Sequence, residues 1–204
     1  MLCIKLYSRK LKSYDNGLLS VEKNFSIVLR NFNRLTVLMM DTDPSFLGPK
    51  SDGVFWHRSM DRHDLVAMMS IEQQCYTTPW TAQHFLQELE QPGAFIVVCG
   101  TGEQITGYLC YRSIVDEMEI LNVATAPDFQ RQGVADRLMR HVLHHASKLG
   151  VGQVFLEVRI SNLTAIRLYQ RFGFVQNGVR QRYYADHEDA LLMTRKLVAD
   201  GGME

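Results

Sequence analysis

The chain has 204 residues, 46% of them hydrophobic and 22% charged, with formal net charge +0. That length and composition suit one ordinary globular domain with a sizeable core and some excess. Zero net charge gives no global attraction to nucleic acid or to a membrane surface, and no apolar run approaches the ~20 residues needed to cross a bilayer.

The first 52 residues read as a separate piece. They carry eight Lys/Arg against five Asp/Glu, whereas the remainder carries 14 against 17. The stretch Pro44 to Asp52, rich in Pro, Gly, Ser and Asp, marks the boundary. Phe25 to Met40 is apolar but broken by Arg30, Asn31, Asn33 and Arg34, so it lacks the core of a secretory signal. Residues 1–52 are expected to be a flexible extension, or an over-long start upstream of Met39, Met40 or Met60; a basic organelle leader is the weaker alternative. Residues 53–204 are expected to form the domain.

From Val54 the pattern becomes regular. Val54 to Ser59 reads as a strand and Asp61 to Gln74 as a helix, with Leu65, Met68, Met69 and Ile71 on its apolar side. Thr81 is placed to cap a second helix running to Glu90, ended by Pro92-Gly93. Ala94 to Cys99 and Gln104 to Ser113 form a hairpin signature, and Met118 to Thr125 another strand. In Gly133 to Leu149, Val134, Leu138, Val142, Ala146 and Leu149 share one helical face, and Gly150 and Gly152 stop the helix. Val154 to Val158 reads as a strand. Ser161 or Asn162 caps a helix from Leu163 to Phe172, closed by Gly173. Tyr183-Tyr184 and Leu191 to Leu197 suggest a closing pair of strands. The order β-α-α-β-β-β-α-β-α-β-β is that of a mixed α/β layer sandwich.

Four cysteines, Cys3, Cys75, Cys99 and Cys110, fit neither a zinc pattern nor a disulfide framework. Cys99 and Cys110 lie in apolar runs, as buried free thiols do, and a reducing cytoplasm is the simplest compartment. His141 and His145 have i,i+4 spacing with His144 between them, but no third ligand follows; a solvated helix face is expected, and no metal.

Gln130 to Ala135 joins a strand to a helix through small and polar residues. Such a turn exposes backbone N–H groups, and the helix N-terminus adds about half a positive charge, so the segment alone reads equally as an anion site or as an ordinary turn. Gly133 lets the backbone approach the anion and Arg131 adds a charge-assisted contact. Neither a G-x-x-x-x-G-K-S/T loop nor a G-x-G-x-x-G fingerprint is present.

Val123-Ala124-Thr125-Ala126-Pro127-Asp128-Phe129-Gln130-Arg131-Gln132-Gly133-Val134-Ala135 resembles the pyrophosphate-binding motif of the GNAT superfamily of N-acetyltransferases. Leu156 to Asn162 and Ala165 to Phe174 are similar to one branch, the bacterial ribosomal-protein-alanine N-acetyltransferases, as are Thr78-Pro79-Trp80 and Arg182-Tyr183-Tyr184. The similarity covers Val54 to Leu197.

The resemblance implies a GNAT fold, a mixed central sheet with helices on both faces and a splayed strand pair at an acetyl-CoA site. Val123, Ala124 and Thr125 would pair their backbone with the pantetheine arm. Arg131, Gln132, Gly133, Val134, Ala135 and Asp136 would surround the pyrophosphate, and Asn162 would contact the coenzyme near the pantetheine. Asp136 stands where the family commonly has a basic residue, so its carboxylate is expected to point away from the anion.

Amine attack on a thioester needs a proton acceptor for the amine and a donor for the sulfur. Glu157 is a carboxylate in the otherwise apolar run Phe155-Leu156-Glu157-Val158; alone it reads as a rim or salt-bridge residue, and the resemblance implies a general base. Tyr169 shares a face with Ala165, Ile166 and Phe172 and alone reads as core; the resemblance implies a general acid. Trp80, Glu119, Tyr183 and Tyr184 are candidate substrate contacts, with Trp80 equally a core anchor.

An α-amino group titrates about 2.5 units below a lysine, a difference of about 3.4 kcal/mol in presenting the neutral amine. This favours an N-terminal amine. The expected acceptor is the N-terminal alanine of a small-subunit ribosomal protein, with a small-molecule amine or a non-catalytic acetyl-CoA-binding module as alternatives. The expected state is a monomer or weak dimer without direct nucleic-acid or membrane contact.

Overall fold

The computed structural model describes the backbone of Cys3–Lys5 and, in full, residues 55–197. Strand β1 is Cys3–Lys5 and β2 is Phe55–Ser59. A 3-10 turn, Arg62–Asp64, leads into helix α1, Leu65–Cys75. Asp61 and Asp64 cap that turn reciprocally, and Arg58 grips the Asp64 carboxylate at 2.6 Å. Helix α2, Ala82–Leu89, starts at Thr81, whose side chain accepts from the His84 N–H while His84 Nδ1 accepts from the Thr81 N–H. The 3-10 turn and α2 thus each begin where a short polar side chain satisfies an amide that the first turn leaves open.

Strands β3, Ala94–Thr101, and β4, Gln104–Ile114, form the expected hairpin, followed by β5, Glu117–Thr125. Helix α3, Val134–Lys148, β6, Gln153–Arg159, and helix α4, Leu163–Arg171, come next. Asn162 caps α4 by accepting from the Ala165 N–H at 3.2 Å. The last strands are β7, Val175–Arg180, and β8, Ala190–Lys196.

This corrects the expected closing pair in one respect. Tyr183 and Tyr184 lie in the connection between β7 and β8, not in a strand. Arg182 and His187 have φ of 52° and 63°, outside the extended region, and break any pairing there. The strand lies earlier, at Val175–Arg180, where exposed Val175 and Val179 on a sheet edge gave little apolar alternation to read.

The sheet order is β2-β3-β4-β5-β6-β8-β7, with β1 added on β5. All pairings are antiparallel except β5 with β6. Each face carries its own core. On one, Met68, Ile71 and Cys75 of α1 and Phe85 of α2 pack against Ile96, Val98, Tyr108 and Cys110. On the other, Leu138, Val142 and Ala146 of α3 and Leu168 and Tyr169 of α4 pack against Leu109, Ile120, Val154 and Leu156. Helices therefore cover both faces, as expected. Cys75, Cys99 and Cys110 are buried, and burial pushes the Cys99 thiol up to about 11. The side chain of Cys3 and most of the expected extension lie outside the described residues, but the backbone of Cys3–Lys5 belongs to the sheet.

The histidines of α3 also depart from expectation. His141 packs edge-on against His57 of β2, ring centres 4.6 Å apart, and His145 Nδ1 lies 2.7 Å from the Tyr111 hydroxyl. The histidine-bearing face of α3 is thus partly packed against the sheet instead of solvated. Burial, followed by the positive charge of neighbouring histidines, lowers the His141 pKa to about 3. Burial likewise lowers those of His57 and His145, with Arg137 adding to the first and Lys148 and His144 to the second.

These groups bind protons more readily unfolded than folded, so protonation below the ordinary histidine range of about 6.5 favours unfolding. Their contribution is full above that value and is lost as pH falls toward about 3. Calorimetric melting should therefore show the parent losing stability between pH 7 and pH 5, and His141→Leu losing about 2 kcal/mol less over that interval. Equal losses in the two proteins would show that His141 does not carry the effect.

Candidate functional site

Strands β5 and β6 run in parallel register from Glu117 opposite Gln153 to Ile120 opposite Leu156, and no further. At that point β5 carries a bulge. Cys110 of β4 faces Asn122 and Tyr111 faces Ile120, so Leu121 is the extra residue. A bulge bends and twists its strand. Beyond it β5 stays on β4 through Thr125, while β6 stays on β8 through Arg159. The two strands part, leaving a gap lined by the second half of β5 and by Glu157–Arg159. The edge of β5 at Asn122–Ala124 is paired in this structure with β1, in the register Cys3–Ala124, Ile4–Val123 and Lys5–Asn122.

The chain leaves β5 through a 3-10 turn, Pro127–Phe129, and the loop reaches α3 at Gly133. Gln130 Nε2 donates to the Thr125 carbonyl at 3.2 Å and Gln132 Nε2 to the Asp128 carbonyl at 2.7 Å, so the loop is tied down by its own glutamines. Arg131 and Gly133 have φ of 64° and 86°. A Cβ on Gly133 would meet nothing within 4 Å, so the position favours glycine through its backbone angle and not through crowding. The 15-residue helix that follows directs its open N–H groups and positive dipole end at this loop. Val134 and Ala135 are buried against the sheet. The Asp136 carboxylate turns along the helix to Arg140 at 2.7 Å and toward Arg171 of α4 at 3.5 Å.

Glu157 is the first residue of β6 beyond the last β5–β6 pair, at the mouth of the gap. It is 5% exposed, but its surroundings are not the apolar ones its sequence neighbours suggest. Arg180 of β7 meets its Oε1 at 2.8 Å, and the Tyr183 hydroxyl hydrogen-bonds to it. Burial first, and that bond second, push the Tyr183 hydroxyl above its ordinary range. Tyr184 is buried, with the Arg159 guanidinium 3.9 Å over its ring, and Arg159 in turn bridges Asp186 and Glu188. Among the described residues the Tyr184 hydroxyl has no hydrogen-bond partner. The tyrosine pair thus stands beside Glu157, brought there by the β7–β8 connection.

Tyr169 is fully buried and packs on Phe174, ring centres 5.7 Å apart, in the core under α3 and α4. Along β6, Val154, Leu156 and Val158 face that core, so Glu157 points to the opposite face, the one carrying α1 and α2. Glu157 and Tyr169 thus stand on opposite faces of the sheet and can address one reacting centre only through the gap. Glu119 alternates with Met118 and Ile120 and shares the face of Glu157. Trp80 lies on the α1–α2 loop, half-buried, edge-on to Phe85 at 5.1 Å.

The α1–α2 side also holds a residue that the sequence did not single out. Glu72 of α1 is fully buried and accepts three hydrogen bonds, from the Tyr108 hydroxyl, from Asn122 Nδ2 at 2.5 Å and from the Trp80 N–H at 2.8 Å. A glutamate in an apolar helix face was its only sequence signal. The face is legible from spacing, but the partners come from β4, β5 and a loop.

The chain matches the family model described as "Acetyltransferase (GNAT) family" over residues 65–174. It is 33% identical over 138 residues to the [ribosomal protein bS18]-alanine N-acetyltransferase of Escherichia coli (strain K12), covering 66% of this chain and 93% of that one. The crystal structure of the ribosomal-protein-S18-alanine N-acetyltransferase from Escherichia coli superposes with TM-score 0.68 and 30% identity, over 74% of this chain and 99% of that one. Arabidopsis thaliana NAA60 in complex with acetyl-CoA shares the fold at TM-score 0.64 and 18% identity, over 71% of this chain and 99% of that one.

If the positive φ is what position 133 requires, Gly133→Ala should cost about 1–2 kcal/mol. Urea melts would show it; an unchanged midpoint would mean the loop takes another conformation.

Proposed function

Because the chain belongs to the Acetyltransferase (GNAT) family and is an N-acetyltransferase, we propose that it acetylates the N-terminal alanine α-amine of a small-subunit ribosomal protein, using acetyl-CoA. The observation that carries this reading is the position of Glu157, a buried carboxylate at the mouth of a gap between parting strands, with a tyrosine pair beside it.

The residues present fit the coenzyme. β1 supports this: an extended, amide-bearing chain can hydrogen-bond along Asn122–Ala124, as the pantetheine amides would along Val123, Ala124 and Thr125. Arg131, Gln132, Gly133, Val134 and Ala135 offer the helix N-terminus and positive-φ turn that suit a pyrophosphate. Asp136 is occupied with Arg140 and Arg171, and this pairing screens its repulsion of the pyrophosphate. Asn162, whose Oδ1 caps α4, would contact the coenzyme near the pantetheine. Acetyl-CoA supplies the activated acyl group.

Glu157 accepts the proton of the incoming ammonium, directly or through one water. Arg180 and Tyr183 hold its carboxylate in a single orientation. Tyr169 returns a proton toward the sulfur from the far face. A phenol of pKa about 10 gives a proton to a thiolate whose acid is near 8.5 only as charge develops, so the transfer is concerted. Trp80, Glu119, Tyr183 and Tyr184 line the acceptor side. The Tyr184 hydroxyl would find its partner in the bound peptide, since a buried hydroxyl normally has one. Among the described residues no helix is long and apolar enough to cross a membrane. We place the chain in the cytoplasm, as a monomer or weak dimer.

Glu157→Gln is expected to lower kcat by about 10²-fold or more while leaving acetyl-CoA affinity, read by calorimetry, within two-fold; an unaltered kcat removes Glu157 from the mechanism. A synthetic peptide with a free N-terminal alanine should be acetylated and its N-terminally blocked form should not. Turnover of a blocked lysine peptide alone would contradict the α-amine assignment. Since Cys3–Lys5 and the coenzyme would share one strand edge, removing residues 1–52 should lower the KM for acetyl-CoA. A raised KM would mean that the segment helps to hold the coenzyme.

A further inference from the structure

We propose that Glu72 is a positioning residue for the acceptor: its carboxylate pins the α1–α2 loop, and with it Trp80, to the bulged half of β5. The inference rests on the reading of Trp80 and its loop as part of the acceptor side.

Three observations carry it. Glu72 is fully buried, and its carboxylate is shared between two unlike neighbours. Oε1 takes the Tyr108 hydroxyl and Asn122 Nδ2, both from strands. Oε2 takes the backbone N–H of Trp80, eight residues further on, across the turn Tyr76 to Thr81. No salt bridge to Glu72 occurs among the described residues, so its contribution is the direction of these three bonds.

Second, the bulge supplies one of the partners. Ile120 packs into the α3 core and Leu121 into the α1 core. Strict alternation would send Asn122 back to the α3 side with Ile120. The extra residue reverses it, so Asn122 follows Leu121 onto the α1 side and reaches Glu72. The same irregularity that parts β5 from β6 therefore creates the contact that ties the loop to β5.

Third, the tie continues to the strand edge. The Tyr76 hydroxyl, at the start of the loop, lies 2.8 Å from both Asn122 Oδ1 and the Val123 carbonyl and can give its proton to either. Loop, helix and strand edge thus form one polar unit within an apolar layer. Buried networks of this kind specify a single arrangement, because a partly satisfied one is costly.

The bond pattern also dictates a selective test. In Glu72→Gln the carbonyl oxygen can serve the two donors at the Oε1 position. The amide NH2 then faces the Trp80 N–H, donor against donor. The substitution breaks the loop tie and keeps the strand tie. Glu72→Gln is therefore expected to raise the KM for a peptide with a free N-terminal alanine by about 10-fold, with acetyl-CoA affinity within two-fold of the parent. A peptide KM within two-fold of the parent in a folded variant overturns the proposal. So does a parallel loss of peptide and coenzyme affinity, which a merely structural role would give.

Hydrogen exchange on the parent chain decides independently of whether the variant folds. The Trp80 amide should exchange far more slowly than those of exposed Thr77 and Thr78, and more slowly still when the peptide is added. Exchange at the rate of those threonines, or without response to peptide, overturns the assignment. Peptide turnover by the parent tests the functional reading itself, and the ratio of variant to parent tests Glu72, so the two failures are distinct.

Discussion

The whole site depends on one irregularity in the sheet, the extra residue Leu121 in β5. Until Ile120 the strand can satisfy β4 and β6 at once; past the bulge it keeps β4 but leaves β6. The consequences are local and chemical. A strand edge separates from its parallel neighbour in the middle of a sheet instead of at its rim. Glu157, which would otherwise lie beside a paired neighbour, stands at the opening. Asn122 changes face and joins the Glu72 network. An open edge is ordinarily an aggregation liability. Here it is held between helices of both layers, and the structure covers it with a short segment of its own chain.

Around that gap the protein distributes charge with some care. Each of three buried acids on the site side has its carboxylate engaged. Glu157 meets Arg180, Glu88 meets Arg112, and Glu72 accepts three neutral donors. An unpaired carboxylate in this layer would cost several kcal/mol. The pairing also sets geometry. Arg180 fixes Glu157 from β7, Arg159 clamps the tyrosine connection through Asp186 and Glu188, and Glu72 fixes the α1–α2 loop. Asp136, the residue that looked out of place beside an anion site, follows the same rule with Arg140 and Arg171.

Much of this was legible in the chain. Helices with strong apolar faces, two of them with explicit caps at Thr81 and Asn162, appear within a residue or two of where their patterns put them. Local hydrogen bonds at a cap depend on residues three or four apart, which a sequence displays directly. The weak points were strands at the sheet edge and residues defined by distant partners. Val175–Arg180 is an exposed edge strand whose pattern lacks alternation. His141 and His145 looked solvated because their partners, His57 and Tyr111, lie more than 30 positions away in the chain.

The sequence by itself determined the order of elements from Phe55 onward, the strand-to-helix turn at Gln130 to Ala135 and the candidate chemistry at Glu157 and Tyr169. Periodicity, caps and motif spacing are properties of neighbouring residues. Only the tertiary structure decided that Glu157 and Tyr169 occupy opposite faces of the sheet, that Glu157 is held by Arg180 and Tyr183, and that Glu72 ties a loop to the strand edge. Those relations require pairs separated by up to about fifty positions, and strand register is what brings them within hydrogen-bonding distance. A single residue inserted at the bulge sets that register, and nothing in the local pattern of Ile120-Leu121-Asn122 announces it.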